Sequence, residues 1–381
     1  MLRPRVHTKA LHRLARSFPA IALLGARQSG KSSLSRLAFP DYARLDLENP
    51  DDLRRLTRDP LFALGEDTRW VIDEAQRMPE LFPTLRYWLD ENERRRVVLL
   101  GSASPALVKG IGESLTGRVG IYELPGLSIS EARADALWLQ GGFPRIHWGR
   151  PRARPEDWYP SYLRTTLEQD LPQLGIRSTF RKLHDFVTML AHSQGGLSNY
   201  SEWGASLGVD YHTVSHWLDI LEGVYLVRRL RPWHANIGKR LVKSPKVYIR
   251  DTGLLHSLLG IGFALKPLSA HPKAGASFET FCIEQLVTHA RLADSSAAVH
   301  FFRTQTRVET DLLLTVKGHT IAIDVKLGTA VPDVSHLEIC MSDLGLGSGY
   351  IVSRAPGLRA ITPRIQMGSL GAVIADLGLT A

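Results

Sequence analysis

Cysteine is scarce in this chain of 381 residues: only Cys282 and Cys340 occur, far apart and in no CxxC or His-paired spacing. That excludes a disulfide framework and a cysteine zinc site. Long hydrophobic runs are missing too. The clean apolar stretches, such as 20–26 and 97–101, are strand-sized and far short of the roughly 18–20 residues of a membrane-spanning helix. No membrane partner is therefore expected, and the cytoplasm is the expected compartment. The fourteen histidines form no HExxH motif. Neither an internal repeat nor a low-complexity tract is present. Gly345, Gly347 and Gly349 precede an apolar run instead of following one, so they form a loop and no dinucleotide fingerprint.

What is present has globular proportions, 44% hydrophobic and 22% charged, and the length predicts two or three domains. Lysine and arginine exceed the acids by nine, a surplus that permits a nucleic-acid partner without requiring one. Its distribution says more. Between Gly223 and Arg250 no acid occurs, while Arg228, Arg229, Arg231, Lys239, Arg240, Lys243, Lys246 and Arg250 all do. At the N-terminus Arg3, Arg5, Lys9, Arg13 and Arg16 precede an apolar run, a layout that mimics a targeting peptide. The run ends in GARQSGKS, however, and reads better as a strand feeding a phosphate-binding loop.

Residues Gly25, Ala26, Arg27, Gln28, Ser29, Gly30, Lys31 and Ser32 match GxxxxGK(S/T), with Ser33 opening the helix pattern that follows. Backbone N–H groups of such a loop wrap phosphates, and glycine keeps Cβ atoms out of the way. Lys31 would reach the β/γ-phosphates of ATP, and Ser32 would offer its hydroxyl to Mg²⁺. The apolar run 69–72 ends in Asp73 and Glu74. Asp73 is assigned to Mg²⁺ and Glu74 to the attacking water. The strand 97–101 delivers Ser102 and Ser104 to the end of the sheet where ligands sit, with simple helix N-capping as the alternative. Arg118 is either a guanidinium for the γ-phosphate, of its own or a neighbouring subunit, or a plain surface arginine. Strand patterns near 20–25, 42–47, 69–73, 97–101 and 119–124, separated by helix patterns, predict a five-stranded parallel sheet covered on both faces.

With these motifs the sequence resembles a widespread prokaryotic family of AAA-type ATPases that carry a restriction-endonuclease-like C-terminal domain. The resemblance extends through GSAS, SLTGR, LPGLSISE, GGFP at 141–144, YLRTTLEQDL at 162–171 and KRLVKSPKVYIRDTGLL at 239–255. It implies an α/β protein: a P-loop AAA-type parallel-sheet domain (1–130), a helical lid or linker (131–182), a winged-helix domain (183–250) and an α+β restriction-endonuclease-like domain (251–381). The middle assignment has its own pattern. Helical spacing over 183–193, a short helix at 198–207, a glycine turn and a second helix at 211–221 give helix-turn-helix punctuation. Tyr211, His212, Ser215 and His216 would line the second helix. Arg228, Arg229, Arg231, Lys239, Arg240, Lys243 and Lys246 would form a cationic wing for DNA phosphates, with protein docking as the alternative.

Beyond residue 277, a helix, three strands, a helix and a strand follow in order. Asp311 and Asp324-Val325-Lys326 fall on adjacent strands of a hairpin. Asp311 and Asp324 could share Mg²⁺ or Mn²⁺ with Glu279 approaching from the helix and Lys326 beside the attacking water. This resembles the PD-(D/E)xK nucleases, with one departure: Thr310 stands before Asp311 where an aliphatic residue is usual, whereas Asp324 in place of the commoner Glu stays within the motif. Two functional expectations follow. One is an ATP-hydrolysing, DNA-binding protein with a nuclease-like domain, compatible with a homo-oligomer. The other is an ATP-responsive regulator with a dead nuclease-like domain and a protein partner of the toxin–antitoxin or defence type.

Overall fold

The computed structural model describes residues 3–65, 67–101, 105–233 and 241–380, and of the helix Pro105–Ser114 the side chains from residue 110 on. The chain divides into two compact units, one of residues 1–126, 173–176 and 219–226, the other of 127–172, 177–218 and 227–381. Of the expected sites, Ser102, Ser104, Lys239 and Arg240 lie outside the described residues.

The first unit is a parallel sheet of β1 (Ala20–Leu24), β2 (Ala43–Asp46), β3 (Arg69–Asp73), β4 (Arg96–Gly101) and β5 (Val119–Glu123), in the order β2-β3-β4-β1-β5. Both faces are covered, which is why the central strands read as unbroken apolar runs. Side chains alternate across β1: Ile21 and Leu23 pack with Leu11 and Leu34 on one face, and Ala20, Ala22 and Leu24 with Phe82, Leu85 and Trp88 on the other. A one-residue shift would exchange these sets, so burial fixes the register.

The second unit holds the helices Phe180–His192 and Tyr200–Leu207 and the start of a third, Tyr211–Gly223, whose residues from 219 on count with the first unit; they lead to an antiparallel pair, β6 (Val227–Leu230) and β7 (Lys246–Ile249). Leu197 forms a further bridge to Lys246. Asn199 caps the second helix by accepting the Glu202 N–H, and Gly208 ends it in the left-handed conformation at φ 62°. The six-stranded sheet that follows contains β8 (Ala298–Arg303), β9 (Glu309–Val316), β10 (His319–Lys326), β11 (Gly349–Ser353), β12 (Leu358–Ala360) and β13 (Ile365–Ser369), ordered β12-β13-β11-β10-β9-β8. The long helix Ala274–Ala293 covers one face through Phe278, Cys282 and Leu286. The helix Ser335–Asp343 covers the other through Leu337 and Met341.

Two features go beyond the sequence reading. The stretch expected as a lid or linker, residues 173–176 apart, is built into the second unit: Gly142 donates its N–H to Asp251 (2.7 Å), and Tyr159 donates to the Gln140 carbonyl (2.7 Å). The described ends of the segment joining β6 to β7 are hydrogen-bonded to β8, with Phe301 N–H to Arg231 carbonyl (3.0 Å), Trp233 N–H to Phe301 carbonyl (2.7 Å) and Val242 N–H to Arg303 carbonyl (3.1 Å). What the charge pattern suggests as a projecting wing is attached to a sheet edge, which satisfies backbone groups that an open edge would leave exposed.

Candidate functional site

The loop after β1 turns at Gln28 (φ 63°) and Gly30 (φ 97°) and feeds the helix Lys31–Ala38. Gly25 has no room for a side chain, since a Cβ there would lie 2.5 Å from the Leu124 carbonyl oxygen. Lys31 is buried, its Nζ donating to the carbonyls of Gly25 (3.0 Å) and Ala26 (3.1 Å). Burial lowers its pKa, against the pull of Glu74 and Asp73. Ser32 Oγ donates to Asp73 Oδ2 at 2.6 Å. The hydroxyl and carboxylate assigned to Mg²⁺ thus meet at one point under the loop, and this hard-oxygen pair fits the ion. Glu74 takes the left-handed conformation (φ 54°), uncommon for such a residue, and Gln76 donates to its carboxylate. Burial raises the Glu74 pKa, while the Gln76 hydrogen bond and Lys31 oppose the rise.

Two further residues complete the site without having been legible as such. Gln76 is one. Arg5, taken from the sequence as part of a leader-like basic run, is buried and donates to the carbonyls of Ser29 (3.0 Å), Pro125 (3.2 Å) and Gly126 (3.0 Å). It ties the phosphate loop to the segment after β5. Arg118 is not brought to its own chain's loop. Its carbonyl accepts the Ala20 N–H at the start of β1, the opposite end of the sheet from Gly25, and its guanidinium pairs with Asp90 at 2.6 and 2.9 Å.

The cationic stretch proves heterogeneous. Arg228 pairs with Glu284, which Arg250 also meets at 3.0 Å, and Lys246 is 2% exposed among carboxylates. Arg228 and Lys246 are therefore withdrawn from the expected DNA surface, because their charge is spent inside the unit. Arg229, Arg231 and Lys243 instead line an open groove of about 470 Å³ with Ser198, Tyr200 and Tyr211. Among the described residues no carboxylate lines it.

The C-terminal hairpin does bring the predicted acids together. The β9/β10 register pairs Leu312 with Ile323, so Asp311 and Asp324 are the next rung, and the Asp311 N–H donates to Asp324 Oδ1 (3.2 Å). Asp311 Oδ2 accepts the Val325 N–H (2.9 Å). Glu279 arrives from the long helix, held by the Tyr248 hydroxyl at 2.6 Å. The metal expected of Glu279, Asp311 and Asp324 does not fit this arrangement. Lys246 Nζ lies 2.5 Å from Glu309, 3.6 Å from Glu279 and 3.6 Å from Asp311. Lys326 Nζ lies 3.7 Å from Asp311 and 3.6 Å from Asp324. Among the described residues no group of three or more acids, histidines or cysteines is arranged to hold a metal ion. Burial, and then the neighbouring Asp311, raise the pKa of both Glu279 and Asp324. Burial opposes the charge on Lys246, but Glu279, Asp311 and Glu309 outweigh it, and its pKa is raised.

Comparison with known proteins gives three matches along the chain: an AAA domain over 17–133, a domain of unknown function, DUF8612, over 131–264, and another, DUF4143, over 274–361. The last does not identify the C-terminal sheet as restriction-endonuclease-like. Two mycobacterial relatives, the uncharacterized proteins Mb2031c of Mycobacterium bovis and Rv2008c of Mycobacterium tuberculosis, are each 43% identical over 353 residues, 90% of this chain and 77% of theirs. Among solved structures, a Walker-type ATPase of Pyrococcus abyssi overlaps 68% of this chain and 99% of its own, at 17% identity and a TM-score of 0.45.

Proposed function

The chain belongs to the family of Mb2031c and Rv2008c and carries an AAA domain, and on that premise we propose that it hydrolyses ATP at the loop 25–32. The observation that carries this reading is the Ser32–Asp73 contact beneath a loop whose lysine is already turned inward. Ser32 and Asp73 would hold Mg²⁺, which AAA ATPases usually use and which neutralises charge on phosphate oxygens. Lys31 exchanges its two loop carbonyls for β/γ-phosphate oxygens, and the loop N–H groups bind the rest. Glu74, oriented by Gln76, takes the proton of the attacking water. The test is phosphate release by the purified chain. Glu74→Gln is expected to keep ATP binding and lose about 10²–10⁴ in turnover, and Lys31→Ala to lose both. Full turnover by both variants would contradict the assignment.

The groove of Arg229, Arg231 and Lys243 supports DNA binding through phosphates, without sequence reading. Duplex affinity should fall with salt, and replacing the three residues by alanine should reduce the log–log salt slope by about 3. Binding that is insensitive to salt, or to the triple replacement, removes this part of the reading. Helix, three strands, helix and strand, with Asp311 and Asp324 on one rung, support a restriction-endonuclease-like fold for the C-terminal sheet. Lys246, a cation outside the PD-(D/E)xK motif lodged among its acids, favours a catalytically silent domain, and with it an ATP-responsive regulator that acts on a protein partner. Cleavage of DNA in Mg²⁺ or Mn²⁺ that Asp324→Ala abolishes would overturn the silent reading.

A further inference from the structure

The acid cluster is a charge system whose carboxylates are drawn from three separate segments. Glu279 comes from the long helix, Glu309 and Asp311 from β9, and Asp324 from β10. Among the described residues three cations face these four carboxylates: Lys246 from β7, Lys326 from β10 and Arg303 from β8, the last at 2.7 Å from Glu309. Lys246 differs from the other two. Its side chain is 3% exposed against 41% for Lys326 and 27% for Arg303, it touches three of the four acids, and its Nζ stands 5.5 Å over the Phe301 ring. Its backbone is fixed by pairing with Leu230 on one side and Leu197 on the other. An ammonium rooted so firmly among carboxylates does what a bound cation does: it cancels repulsion between acids that burial would otherwise make costly.

We propose that Lys246 is the resident cation of this cluster, standing where a divalent ion would sit among Glu279, Glu309 and Asp311, and that the native chain therefore takes up no Mg²⁺ or Mn²⁺ there. A divalent ion held by the same oxygens would lie within a few ångströms of the ammonium and be strongly repelled. It would also need several oxygen ligands at about 2.0–2.6 Å, and of these acids Glu309 already meets the ammonium at 2.5 Å and Glu279 the Tyr248 hydroxyl at 2.6 Å. Removing the charge of Lys246 leaves four carboxylates against two cations, a deficit that one divalent ion restores. The proposal concerns metal uptake alone and stands whether or not the fold is nuclease-like.

The test is Mn²⁺ titration of the full chain without nucleotide, read by electron paramagnetic resonance. The native protein and Lys246→Arg, which keeps the charge, are expected to bind no Mn²⁺ at the cluster. Lys246→Met should gain one ion per chain, with affinity raised roughly a hundredfold or more over native. Asp311→Asn in the Lys246→Met background should lose it. If Lys246→Met does not fold, Lys246→Met/Glu309→Gln removes one charge of each sign and should again bind Mn²⁺ through the remaining acids. A native chain that binds one Mn²⁺ sensitive to Asp311→Asn overturns the proposal, as does a folded Lys246→Met, or the folded double variant, that binds none.

Discussion

At the scale of single residues, hydrogen-bond direction decides protonation. His256 is fully buried, with Nδ1 3.0 Å from the Leu139 carbonyl and Nε2 2.7 Å from Ser277 Oγ. A carbonyl only accepts, so Nδ1 carries the proton and Nε2 accepts from the serine, whose oxygen accepts the Trp138 indole N–H (3.0 Å). Burial accordingly lowers the His256 pKa to about 4. A histidine held neutral in the folded state contributes stability that is full above the unfolded pKa of about 6.5 and lost as pH falls toward 4. Urea unfolding of native and His256→Gln protein should show a gap that narrows by up to about 3 kcal/mol over that window. A gap constant with pH would contradict this. Residue chemistry of the phosphate loop was legible in the sequence because its partners are consecutive. Lys246 was misread as a DNA contact because its acids arrive from β9 and a distant helix, and an acid-free stretch says nothing about acids folded against it. The same holds for Arg228, whose partner Glu284 lies on that helix.

At the scale of elements, periodicity predicted the five parallel strands and the helix-strand order up to β11 to within a few residues. It missed β12, β13 and the helix Leu370–Asp376. Strand β12 has only three residues, two of them exposed, so it has no alternating pattern to detect. Strand polarity also escaped attention: Arg118 opens β5, and parallel pairing of Ala20 with Val119 places it at the far end from the loop that follows Leu24. The loop itself is constrained by β5, because Leu124 donates its N–H to the Leu24 carbonyl (2.7 Å) and presents its own carbonyl to Gly25. Gly25→Ala should therefore displace the loop at a cost of about 1–3 kcal/mol. That corresponds to about ten- to hundredfold weaker binding of a fluorescent ATP analogue. Unchanged affinity would mean that the loop yields more easily than its packing suggests.

At the scale of the whole molecule, each of the two compact units has its own buried clusters. Calorimetry should resolve two transitions. On the proposed reading Mg-ATP binds only the folded first unit, so it should raise one transition by mass action and leave the other in place. A single transition, or two that move together, would show that the units melt as one.

The first unit is not one uninterrupted length of polypeptide. Residues 219–226 count with it, and Tyr225 packs against the cluster that contains Phe82 and Trp88. Cutting the gene after the last strand of the nucleotide domain would yield a fragment with its Walker motifs intact and a raw apolar scar where that late segment belongs. Poor solubility of such a fragment would speak of the missing segment and would say nothing against the catalytic assignments.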